Sequence, residues 1–180
     1  MQTLIKELKQ KNIILLEQEP MKKHTSFRIG GAADIYVSPK NGEEIKTVLA
    51  LAKQYNVPVT VIGNGSNLLV GDKGIRGIVI QIGKDKAKIW VEGEKITAQA
   101  GAILKSIGET ALQNSLEGFS FAAGIPGSLG GAVCMNAGGY GGEMKDILLE
   151  VNVLTKDLQI KTLSAKELQL SYRHSIIPEK

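Results

Sequence analysis

The spacing of apolar residues changes repeatedly along the chain, and each change marks an element. Leu4, Ile5 and Leu8 lie on one face of an otherwise polar stretch, which predicts an amphipathic helix over residues 1–12. The apolar run 13–16 reads as a short strand, and the β-rich segment 34–38 as a second one, ended by Pro39. Ser38 or Asn41 then offers an N-cap, with Glu43 and Glu44 placed to favour the positive end of a helix. Ile45, Val48, Leu49 and Ala52 recur at helical spacing, Asn56 closes the helix and Pro58 bars its continuation. Residues 57–62 follow as a buried strand.

Further on, the segments 77–82, 87–92 and 95–100 are short and rich in β-branched residues, with Gly93-Glu94 as a hairpin turn between the last two. A helix is expected over 102–114, its apolar stripe formed by Ile103, Leu104, Ile107 and Leu112. Strands near 148–155 and 159–163 lead to a short helix at 165–168. Hairpins mixed with occasional helices predict an α+β fold rather than a doubly wound sheet. Polar residues and glycines at 72–77 suggest a boundary between lobes spanning 1–74 and 75–180. The longest apolar runs fall far short of the roughly 20 residues a membrane-spanning helix needs.

The net charge of +4 is spread along the chain, so no nucleic-acid patch is expected. Cys134 is the single cysteine, which excludes an internal disulfide, and its apolar flanks suggest a small buried hydrophobe rather than a nucleophile. The first residues lack the apolar segment and cleavage site of a secretory signal, so a cytoplasmic location is expected. His24 and His174 are the only histidines, too far apart in sequence to suggest a metal site.

Glycine is the outlier, at 21 of 180 residues against an average of roughly 7%. One cluster, Gly63-Asn64-Gly65-Ser66-Asn67, directly follows a predicted strand. Its backbone N–H groups can converge into an anion-binding nest, or the loop can be a tight turn with Asn and Gly in left-handed positions. The second region runs from Gly118 to Gly142 and includes Gly124-Ile125-Pro126-Gly127-Ser128, Gly130-Gly131 and Asn136-Ala137-Gly138-Gly139. Such a backbone can lie flat against a planar ligand, or serve as a packing crossover. Tyr140, inside this run, either approaches such a ligand or packs. Neither a P-loop nor a Rossmann fingerprint is present.

Five ordered segments carry a specific resemblance: 24–33, 61–70, 123–132, 136–139 and Ser171-Tyr172-Arg173-His174-Ser175. In this order they resemble the UDP-N-acetylenolpyruvoylglucosamine reductase family. The resemblance implies a two-lobed FAD-binding fold of the vanillyl-alcohol oxidase / p-cresol methylhydroxylase type, with the flavin between the lobes. It also implies reduction of a nucleotide-sugar enolpyruvyl ether by NADPH through FAD, giving UDP-N-acetylmuramate for peptidoglycan synthesis. By the same resemblance, Gly63 to Asn67 hold the FAD pyrophosphate, while the second glycine region lines the isoalloxazine and the rest of the cofactor. Arg173 corresponds to the family's catalytic arginine, with Tyr172 beside it at the substrate. No histidine lies in the first glycine loop, so the FAD is expected to be non-covalent. The family continues into a C-terminal substrate domain that supplies a serine proton donor and a glutamate. Ser171, Ser175 and Glu179 match neither role, so the 180 residues are expected to bind FAD without completing turnover. Alternatives are another FAD oxidoreductase of the same fold, or a non-catalytic flavin-binding module.

Overall fold

A computed structural model describes residues 1–177, and they divide into two compact units, 1–86 and 87–177. In the first, α1 (Gln2–Gln10) buries Leu4, Ile5 and Leu8, the face its spacing predicts. Asn12 takes a left-handed φ of 59°, which Asn tolerates, and the chain turns into β1 (Leu15–Pro20). This strand begins and ends later than the apolar run 13–16. It pairs antiparallel with β2 (Ala32–Val37). α2 (Gly42–Gln54) is capped by Asn41, whose Oδ1 accepts the Glu44 N–H at 2.9 Å, which decides between the two candidate caps. After the left-handed Asn56 come β3 (Val59–Ile62) and β4 (Ile75–Gln81), which run parallel to each other.

The sheet order is β1-β2-β4-β3, with β4 hydrogen-bonded to both β2 and β3. That pairing places β4 in the first unit. The division therefore falls after Lys86, beyond the turn-rich 72–77 at which the sequence suggests a boundary. One face of the sheet (Ile35, Val37, Ile78, Ile80) packs with the helical residues Leu4, Leu8, Val48, Leu51 and Ala52. Tyr36, Val79 and Ile62 join Met21 and Val70 in a separate cluster. Val61 is exposed although it lies in the run read as a buried strand.

The second unit opens with the hairpin β5 (Ile89–Glu92) and β6 (Lys95–Ala98), turning at Gly93-Glu94 as predicted. α3 (Leu104–Gln113) buries Leu104, Ile107 and Ala111. Leu112, expected on that stripe, is 79% exposed, and Ile103 lies outside the helix. Two short helices follow, α4 (Ser120–Ala123) and α5 (Leu129–Cys134). Then come the small hairpin β7 (Gly138–Gly139) and β8 (Gly142–Glu143), and the antiparallel pair β9 (Glu150–Leu154) and β10 (Ile160–Ser164). Leu104, Ile107, Phe119, Phe121, Met144 and Leu168 are among the residues of this unit's core.

Residues 165–168 form a turn rather than the expected helix. Ser164 and Glu167 cap each other across that turn, and one helix-like bond runs from the Leu168 N–H to the Ser164 carbonyl. Gln169 then adopts φ +49°, which stops propagation after one turn.

Candidate functional site

The first glycine loop, 63–67, leaves the C-terminal end of β3 and rests on the segment 24–31. Gly65 has φ +65°, and a Cβ there would lie 1.9 Å from the His24 carbonyl oxygen. Only glycine permits that approach. The Gly65 carbonyl in turn accepts the Ser26 N–H at 3.1 Å. Behind the loop, the Gln81 amide donates to the Gly63 carbonyl at 3.2 Å, and the Tyr36 hydroxyl donates to Gln81. The His24 ring stacks on Tyr36 with centroids 4.1 Å apart, and its Nε2 lies 3.0 Å from Glu19. Burial pushes the Tyr36 phenol up to about 12, so it remains a donor over the working pH range. The hydrogen bond from His24 holds the Glu19 carboxyl below its usual range. Sequence reasoning did not single out Gln81, Tyr36 or Glu19, because their contact with the loop depends on strand pairing.

The second glycine region is tied together by backbone bonds. Leu104 N–H donates to the Gly127 carbonyl, Leu129 N–H to Ala102, and Gly130 N–H to Ala100, at 3.1, 2.8 and 2.8 Å. Ser128, between them, is only 4% exposed. Its hydroxyl is the buried side-chain polar atom left without a hydrogen-bond partner among the described residues. Such an orphan costs roughly 1–3 kcal/mol unless something outside the protein satisfies it. No neighbouring side chain would obstruct a Cβ at Gly124, so the backbone there is open. Gly142 is the opposite case, since a Cβ would meet the Phe121 ring at 2.8 Å.

Close to this region lies a cleft of about 420 Å³, lined by Asn136, Gly138, Gly139, Glu143, Lys145 and Arg173, with Tyr172 and Asp146 also on its wall. Ser171 and His174 exchange both backbone hydrogen bonds, N–H to carbonyl at 3.2 and 3.1 Å, which puts Tyr172 and Arg173 at the tip of a two-residue turn. Arg173 has φ +55°, a conformation costing an L-residue about 1–2 kcal/mol, where glycine would be the neutral choice. Its guanidinium carbon sits 5.5 Å from the centre of the Tyr172 ring, and Tyr172 is 82% exposed. Opposite charge is supplied by Glu143. Its hydrogen bonds from Lys145 and Asn136 hold its carboxyl below the usual range, and Arg173 adds to that. The same contact raises Lys145. Glu143 and Asp146 cap the short turn between them reciprocally, an E-x-x-D spacing that sequence reading could have used.

The sequence-derived residues thus fall into two groups: Gly63 to Asn67 in the first unit, and Gly124 to Gly139 with Tyr172 and Arg173 in the second. Asn136 is placed differently from a residue that simply lines a ligand. Both hydrogens of its side-chain amide are donated within the protein. Ser175 Oγ donates to the Cys134 carbonyl at 2.8 Å, and burial pushes the Cys134 thiol up, against a nucleophilic role. Glu179 lies outside the described residues. Among them, no cluster of His, Cys, Asp and Glu could hold a metal ion, and no helix is long and apolar enough to cross a membrane.

A family model described as "FAD binding domain" matches residues 33–164. The UDP-N-acetylenolpyruvoylglucosamine reductase of Agathobacter rectalis is 53% identical over 99% of this chain and 61% of its own length. The chain therefore spans a little over half the length of the curated relatives it matches. The crystal structure of the corresponding reductase from Thermus caldophilus superposes with a TM-score of 0.76 at 32% identity, covering 93% of this chain and 57% of that one. An alkyldihydroxyacetonephosphate synthase shares the fold alone, with a TM-score of 0.66 at 20% identity over 91% of this chain and 38% of its own.

Proposed function

The chain belongs to the FAD binding domain family, with the α+β fold of the vanillyl-alcohol oxidase / p-cresol methylhydroxylase type, and we propose from that premise that it is the flavin-holding part of a UDP-N-acetylenolpyruvoylglucosamine reductase. The residues present fit the cofactor. The Ser128 hydroxyl is buried and lacks a partner, the Gly124 backbone is open, and Gly65 keeps the first loop in a conformation no side chain would allow. Gly63, Asn64, Gly65, Ser66 and Asn67 would hold the FAD pyrophosphate through backbone N–H groups. Gly124 to Ser128, Gly130, Gly131, Ala137, Gly138 and Gly139, with Asn136 through its backbone, would hold the remainder. Bound FAD would supply a two-electron carrier between NADPH and the enolpyruvyl double bond.

The observation that carries the catalytic part is Arg173, held at φ +55° at the tip of a closed turn on the wall of the cleft. At that tip Arg173 lines the cleft, where a planar, permanently charged fork suits a carboxylate. Its planar fork would bind the substrate carboxylate through two parallel hydrogen bonds, stabilising negative charge that grows as the double bond is reduced. Tyr172 would flank the same group. The proton donor and the glutamate of this chemistry are not assigned to any described residue, and the 180 residues are proposed to hold FAD in the cytoplasm without completing turnover alone.

The test starts from an absorption spectrum of the purified chain with added FAD, before and after denaturation. Flavin bound by the folded chain and released intact is the expected result; a folded sample that takes up none would sink the assignment. In the full-length protein, Arg173→Lys should lower kcat by at least tenfold while FAD stays bound, because a point charge does not reproduce the fork. Unchanged kinetics would remove Arg173 from the mechanism.

A further inference from the structure

Asn136 is 2% exposed and sits at φ +42°, a left-handed position that Asn tolerates better than most residues. Its side chain bonds to three residues in two segments around the cleft. One amide hydrogen goes to Glu143 Oε2 at 2.7 Å, on the second strand of the glycine hairpin. The other goes to the Ser171 carbonyl at 3.0 Å, at the base of the turn that carries Arg173. Its Oδ1 accepts the Lys145 N–H at 2.9 Å. The Ser171 carbonyl also accepts the His174 N–H that closes the turn, so Asn136 holds the hinge atom of the arginine tip.

We infer that Asn136 is a positioning residue for Arg173: its amide fixes the Ser171–His174 turn to the glycine hairpin, so that the guanidinium enters the cleft at one height and angle. This rests on the reading of Arg173 given above, but the contacts do not. The alternative use of Asn136, as a side-chain donor to the flavin, would require breaking one of these bonds, since both amide hydrogens are engaged. The Arg173 guanidinium itself lies 5.5 Å from the centre of the exposed Tyr172 ring and feels the Glu143 charge, so the turn beneath it sets where it stands. A displacement of about 1 Å at such a group is enough to cost on the order of 100-fold in rate.

Asn136→Asp is the decisive change. It keeps an oxygen for the Lys145 N–H but removes both donors, and it places a carboxylate beside Glu143 and the Ser171 carbonyl. NMR relaxation of the folded chain should then show the Arg173 and His174 amides losing order while the Lys145 amide keeps its own. In the FAD-loaded full-length protein, kcat per bound flavin should fall on the order of 100-fold. Combined with Arg173→Ala, the variant should add no further loss, because both changes disable one group. Unaltered order at Arg173 and His174, loss of FAD in step with turnover, or additive effects would each overturn the inference. Full activity of Arg173→Ala would instead sink the reading of Arg173, and with it any catalytic meaning of the clamp. If Asn136→Asp does not fold, the wild-type protein decides: the Asn136 side-chain amide protons must exchange slowly and show contacts to Ser171 and Glu143. Fast exchange there would end the proposal.

Discussion

Replacing Gly65 with alanine isolates what the first glycine loop requires of its backbone. At φ +65° an L-residue carries about 1–2 kcal/mol of strain. The new Cβ would also stand 1.9 Å from the His24 carbonyl oxygen, where ordinary contact begins at about 3.5 Å. One of the two backbone segments must therefore move by more than an ångström. That movement stretches the hydrogen bond from the Ser26 N–H to the Gly65 carbonyl, worth about 1 kcal/mol, and adds overpacking of about 1–3 kcal/mol. The total comes to about 3–6 kcal/mol. Gly93→Ala is the control, since Gly93 has φ +58° but nothing within 4 Å of its Cβ position, leaving only the left-handed strain of about 1–2 kcal/mol. Urea denaturation followed by far-UV circular dichroism measures both variants, and FAD titration measures the consequence at the loop. Gly65→Ala should be clearly the more damaging and should weaken FAD binding, whereas Gly93→Ala should leave it alone. Equal destabilisation, within about 0.5 kcal/mol, would refute the argument that the loop is closed against the 24–31 segment.

Arg173→Gly should stabilise the fold by about 0.5–1 kcal/mol, as relief of the left-handed strain exceeds glycine's extra freedom in the unfolded chain, while turnover in the full-length protein is lost; denaturation midpoints and kcat read the two effects separately. Leu104→Ala should cost about 2–5 kcal/mol, and Leu112→Ala no more than about 0.5 kcal/mol, because the first side chain is fully buried and the second projects into solvent. The Glu19 carboxyl is held below its ordinary value of 4.5 in the folded state, chiefly by His24. Its stabilising contribution is therefore present above that value and is lost as the pH falls through the depressed one. Denaturation midpoints of wild type and Glu19→Gln should differ at pH 7 and draw together as the pH falls below the ordinary 4.5 of a glutamate.

Periodicity and punctuation locate most elements, and the reason is local. Leu4, Ile5 and Leu8 can share a face only in a helix, Asn41 is positioned to accept from Glu44, and Gly93-Glu94 leaves exactly the two-residue loop a hairpin prefers. Failures occur where local preference is weak. The 165–168 stretch has one good cap but only a single turn's worth of residues before Gln169 goes left-handed, too little to offset the cost of nucleation. Leu112 fits a helical stripe about as well as Ala111 does, and only packing decides that the smaller residue faces the core.

The sequence by itself determined where the candidate residues lie: two glycine clusters, conspicuous because glycine at such density weakens regular structure and needs another explanation, and a Tyr-Arg pair marked by the family resemblance. Tertiary structure decided which contacts each of them makes. β4 belongs with the first unit because it pairs with strands on both sides, a hydrogen-bonding choice between distant segments that no local window contains. Asn136 reads in the sequence as one more residue of a glycine-rich lining, and becomes a clamp only because folding brings Glu143, Lys145 and Ser171 to its three polar positions. Ser128 is an ordinary serine until the chain closes over it and leaves its hydroxyl without a partner. Residue type sets the available hydrogen bonds; long-range packing settles which are made, and which are left for a ligand.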